Sequence, residues 1–155
     1  PPRSTLFPYT TLFRSMVLID TGYWCALGNS KDKFHRQAML VASTLREDPV
    51  TTWPVITETC HILQRELGAK AAVQFVNMLR IEEIEIFKIE VVHLQRIQSL
   101  MEKYADLPMD LADASLVILA EELGHGRILS TDLRDFKTYR WKNHKPFENL
   151  LLPEF

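Results

Sequence analysis

Short apolar runs alternate with longer amphipathic stretches along this chain. MVLID (16–20) is continuously apolar and closes on an acid, which predicts a strand buried on both faces. Thr21 to Leu27 then predicts a short helix stopped at Gly28 and Asn29. Phe34, Ala38, Leu40, Val41 and Leu45 recur near the helical period within 32–47. VTTW (50–53) predicts a second strand, and Pro54 suits the first turn of a helix that runs to Gly68. A further helix is expected over 69–79, a third strand over 84–89 and a helix over 91–104. After Pro108 the pattern predicts a helix over 110–123 ending at Gly124, then a strand at RILS (127–130). A helical turn after Asp132 and a weak strand near 147–151 complete the reading. Strands that alternate with helices predict an α/β fold: a three-layer α/β/α sandwich around a parallel sheet of four to five strands.

The first fifteen residues break the pattern. PPRSTLFPYTTLFRS (1–15) has three prolines, no acid and no helical period. It lacks the apolar core and cleavage site of a signal peptide. Residues 5–15 resemble the translation of a sequencing-adapter fragment. The expectation is therefore a non-native tail over 1–15 and one domain over 16–155, starting at Met16.

Composition narrows the picture. The 155 residues fit one domain, and 46% apolar with 25% charged residues is an ordinary globular balance. A net charge of -2 gives no global field for nucleic acid, so any such contact must be a local patch. No apolar run approaches the roughly 20 residues that span a bilayer. Cys25 and Cys60 fall in apolar helical segments and read as buried thiols in a reducing cytoplasm.

Four acids stand where strands end or helices begin: Asp20, Glu58, Asp113 and Asp132. In an open α/β sheet the ligand crevice lies at the carboxyl ends of the strands. Carboxylates gathered there repel; two unit charges about 4 Å apart cost roughly 4 kcal/mol at an effective dielectric near 20. A hard cation such as Mg²⁺ or Mn²⁺ relieves that repulsion through oxygen ligands alone. The five histidines are scattered and no pair has zinc spacing. Each acid also has a plainer reading. Asp20 suits an N-cap, Glu58 a solvated helix face, Asp110 and Asp113 a cap pair, and Asp132 and Asp135 a capped turn. Asp110 and Asp135 are thus further metal candidates.

These phrases resemble the PIN-domain ribonucleases, especially the VapC-like toxins of type II toxin–antitoxin systems. The resemblance rests on VLIDT (17–21), PVITE (54–58), YADLP (104–108), LADASLVILAE (111–121) and ILSTDLRDF (128–136). Tyr139, Arg140 and FENLLLP (147–153) extend it, so it covers about 16–153. It implies an endoribonuclease that uses Mg²⁺ or Mn²⁺ to hydrolyse RNA phosphodiesters, with Asp20, Glu58, Asp113 and Asp132 as the catalytic and metal-binding acids. Ser130 and Thr21 would support them. A homodimer and a small antitoxin partner are also implied.

A nuclease must hold a polyanion beside its acids. Arg134, Lys137, Arg140, Lys142 and Lys145 are candidate phosphate contacts, and Tyr139 and Trp141 either stack on bases or anchor in the core. Met39, Leu40, Trp53, Ile62 and Leu63 are core residues or the lining of a groove for a partner helix. Two other readings remain. One is a haloacid-dehalogenase-like phosphohydrolase with Asp20 as nucleophile, although Gly22 occupies the place of its second acid. The other is a non-catalytic binding module of the same fold.

Overall fold

The computed structural model describes residues 15–152. Most of the expected tail, residues 1–14, lies outside them. β1 (Met16–Ile19) is the central strand, and all four of its residues are buried. It is followed by α1 (Thr21–Gly28), α2 (His35–Thr44), β2 (Asp48–Thr52), α3 (Trp53–Leu67) and α4 (Ala69–Ile81). Then come β3 (Glu85–Phe87), a 3₁₀ turn (Val91–His93), α5 (Leu94–Lys103) and α6 (Leu111–Leu123). The chain closes with β4 (Arg127–Leu129), α7 (Leu133–Thr138), β5 (Arg140–Trp141), β6 (Lys145–Pro146) and β7 (Glu148–Asn149).

Five strands form one sheet in the order β3-β2-β1-β4-β7, and every pairing is parallel. The α/β/α expectation therefore stands. The fifth strand is the weak run near 147–151, reduced to two residues. β5 and β6 form a separate antiparallel hairpin that periodicity did not reveal, because two-residue strands carry no period. The helix expected within 32–47 is shorter. Asp32 Oδ1 accepts the Phe34 N–H at 2.8 Å and holds residues 32–34 as a turn before α2.

α6 is apolar around most of its circumference, with Ala112 and the whole run Ala114–Ala120 buried. It packs on β1, β2, α3 and α5, which explains why its sequence shows so little amphipathic contrast. Thr52 caps α3 and its hydroxyl pairs with Ser115 at 2.6 Å, fixing α6 over the end of β2.

β1 pairs with β2 on one side and β4 on the other. The chain order thus reverses between β1 and β4, where an open parallel sheet leaves its ligand crevice. Leu18 pairs with Ile128 and Ile19 with Leu129, so Asp20 and Ser130 emerge side by side there.

Candidate active site

Asp20 caps α1, and its Oδ1 accepts the Thr21 N–H at 2.7 Å. Its Oδ2 accepts the Ser130 hydroxyl at 2.7 Å. The Ser130 hydroxyl oxygen in turn accepts the Asp132 N–H at 2.9 Å. One buried serine therefore ties the acid after β1 to the acid after β4. Glu58 lies one turn into α3, where its Oε2 accepts the Thr21 hydroxyl at 3.3 Å. Asp113 forms a capping box with Asp110 at the start of α6. Its Oδ2 also accepts the Tyr139 hydroxyl at 3.2 Å.

The electrostatics follow from burial. Asp20 is 6% exposed, and desolvation pushes its carboxyl up to about 7 against the bonds from Ser130 and Thr21. Glu58 and Asp132 add to the rise. Burial likewise carries Asp113 to about 8, with Asp110 and Asp20 contributing. Glu58 and Asp132 are raised too, each chiefly by burial. These acids feel one another across the sheet edge. Burial also raises the Tyr139 hydroxyl, so it remains a donor to Asp113.

Among the described residues, no three acids, histidines or cysteines form a ready-made metal cage. The four acids share one edge and one field, but each is also held by a cap or hydroxyl bond. The ion pairs of the described residues reach Asp135, through Arg134 at 3.1 Å, and none of the four. An oxygen-only donor set, desolvated and without a paired cation, fits a hard divalent ion. Asp110 is accounted for as the cap of α6, and Asp135 as the partner of Arg134 and the donor of an N–H to Asp132.

The proposed substrate contacts separate. Arg134 and Lys137 are exposed on α7. Arg140 turns its Nη1 onto the carbonyls of Lys137, Thr138 and Tyr139, where it closes α7. Trp141 is buried, donates to the Pro146 carbonyl at 3.0 Å and packs beside Gly126 at the start of β4. That is the strand end opposite Ser130. Lys142 and Lys145 lie over its ring, at 5.7 and 5.1 Å. Tyr139 is fully buried. Core anchoring, not base stacking, describes both aromatic residues.

Three further expectations resolve. Leu63 is core, whereas Met39, Leu40 and Trp53 are about half exposed. Cys25 is buried but Cys60 only partly so, and both are free. Among the described residues no helix is long and apolar enough to cross a membrane. The sequence reading missed Asn149, whose side chain holds the backbone of Ser130. No local signal links residues that far apart, although FENLLLP lies within the resemblance.

The PIN domain family model matches residues 17–142. The 23S rRNA-specific endonuclease VapC20 of Mycobacterium tuberculosis, in two strains, is 31% identical over 74 residues. That match takes in 44% of this chain and 56% of VapC20, so the chain spans just over half the length of the curated relatives it matches. The crystal structure of M. tuberculosis VapC20, a sarcin-ricin loop cleaving toxin, superposes with a TM-score of 0.70 at 21% identity. It covers 76% of this chain and 90% of that one. The strand order, the acids at the switch point and the family match over most of the chain agree: this protein belongs to the PIN domain family.

Proposed function

We propose that the protein is a divalent-cation-dependent endoribonuclease and the toxin of a toxin–antitoxin pair. The observation that carries this reading is the link Asp20–Ser130–Asp132 across the switch point, with Asp113 raised chiefly by burial and further by Asp110 and Asp20. Asp20, Asp113, Asp132 and Glu58 would hold Mg²⁺ or Mn²⁺. Such an ion, when bound, neutralises charge at a scissile phosphate and acidifies a water. Ser130 keeps the Asp20 carboxylate from rotating, and Tyr139 does the same for Asp113. Glu58, the less buried of the two acids that Thr21 touches, would be the group to accept a proton.

The phosphatase alternative is weakened by packing. A Cβ on Gly22 would collide with Thr131, so an acid has no room there. The curated relatives act on 23S rRNA, which makes ribosomal RNA the first substrate to try. Exposed Met39, Leu40 and Trp53 support an apolar face for an antitoxin or a second copy of the chain.

The test is cleavage of ribosomal RNA with Mg²⁺ or Mn²⁺, compared between the wild type and Asp20→Asn and Asp113→Asn. Cleavage is expected to require the ion and to fall at least about a hundredfold in both variants. Undiminished cleavage in both would remove the assignment.

A further inference from the structure

A groove of about 610 Å³ opens beside Asp132, between the turn before α2 and the start of α7. Lys33 and Phe34 form one wall, and Thr131 and Arg134 the other. We infer that this groove carries the RNA strand on one side of the scissile phosphate, with Lys33 and Arg134 as its phosphate contacts. The inference rests on the nuclease reading above and supplies its missing substrate path.

Three observations carry it. The first is position, since Asp132 belongs both to the acidic edge and to the groove. A strand lying in the groove runs directly to the acids. The second is charge. An acidic site repels RNA unless cations flank it, and Lys33 and Arg134 come from opposite walls. The remaining groove acid, Asp32, has one carboxylate oxygen committed to the Phe34 N–H. The third is that three of the basic residues after Asp135 are engaged elsewhere. Arg140 closes α7, and Lys142 and Lys145 cover Trp141 at the far end of β4.

The walls are preformed. Asn29 and Asp32 bond the backbone of the turn, and the Lys33 amine lies 4.9 Å from the centre of the Phe34 ring. Arg134 projects with 79% of its side chain exposed while its Nε donates to Asp135. The contacts are to phosphates, so they position the strand and carry no base preference.

The test is binding of a fluorescent single-stranded RNA to the full chain in an Asp113→Asn background, titrated with salt. Lys33→Ala and Arg134→Ala are each expected to lower the slope of log affinity against log salt by roughly 0.7–1. Lys145→Ala should leave it unchanged. Arg134→Lys should restore the slope, which separates charge from the bond to Asp135. In the cleavage assay the alanine variants should raise KM about tenfold with little change in kcat. Unchanged slopes and KM in an active enzyme would overturn the groove and spare the nuclease. A wild type that binds RNA with the expected slopes but never cuts it would do the reverse. Loss of a protein partner with RNA binding intact would assign the groove to that partner and overturn the inference.

Discussion

The side-chain amide of Asn149 brackets the backbone of Ser130. Asn149 Oδ1 accepts the Ser130 N–H at 3.3 Å, and its Nδ2 donates to the Ser130 carbonyl at 2.8 Å. Ile128 pairs with Asn149 in the sheet, so the amide continues the β4–β7 ladder past the point where the strands part. Ser130 is thereby aimed at Asp20, 2.7 Å away.

Asn149→Ala should cost about 1–3 kcal/mol, because Ser130 loses two partners in a buried setting. Activity should fall further than stability alone explains, since the Ser130 hydroxyl would no longer be fixed between two acids. Denaturant melts paired with cleavage rates will show this. A variant as active per folded molecule as the wild type would confine Asn149 to the fold.

The pH dependence of the ion-free protein follows from the buried acids. Folded Asp20 and Asp113 keep their protons to about 7 and about 8, against an ordinary value of 3.8. Between those limits the folded chain binds more protons than the unfolded one, so these groups make stability fall as pH rises. Asp113→Asn should remove part of that fall. Its stabilising effect over wild type should grow from about pH 4 to about pH 8, level off above that and vanish in acid. Millimolar Mg²⁺ or Mn²⁺ should raise the wild-type Tm at high pH and leave Asp113→Asn less affected. Melting curves across pH, with and without the ion, check both points.

Gly22 brings α1 against the loop that carries Asp132. A Cβ there would meet Thr131 Oγ1 and lie 3.1 Å from Thr131 Cβ. Gly22→Ala should cost about 1–3 kcal/mol by overpacking and displace Asp132 from Asp20. Thr131→Gly in the same chain should recover most of the loss. A purely additive double mutant would mean that the two sites do not touch.

Arg140→Ala tests the difference between a helix cap and a phosphate contact. Its guanidinium bonds three carbonyls at the end of α7. The variant should lose about 0.5–1.5 kcal/mol of stability. Its RNA affinity and salt slope should match the wild type, in contrast to Lys33→Ala.

Particular residues show how far the sequence could be read. Asp20, Asp113 and Asp132 were visible because each follows a strand or opens a helix, and such positions carry local signals. Their plain readings as caps were visible for the same reason. Both hold at once: Asp20 caps α1 while it accepts from Ser130, and Asp113 completes a capping box while it accepts from Tyr139. The basic residues were harder. Nothing in RDFKTYRWKNHK (134–145) says that Lys142 and Lys145 lie over Trp141, away from the acids. That depends on Glu121, which bonds Arg96 and the Lys142 N–H and fixes the hairpin beside α6. Lys33 went unread because it lies a hundred residues from Arg134.

By itself the sequence determined the alternation of strands and helices, the caps that end them and the family to which the chain belongs. Those properties rest on periodicity and on bonds between near neighbours. Tertiary structure decided which strands lie beside β1 and which acids Ser130 joins. It also decided which cations border the groove at Asp132. Each of these is a contact between residues far apart in the chain, fixed by sheet register and by packing against one core. The acids at the switch point were therefore legible as candidates, whereas their positioning by Ser130, Asn149 and Tyr139 required the folded chain.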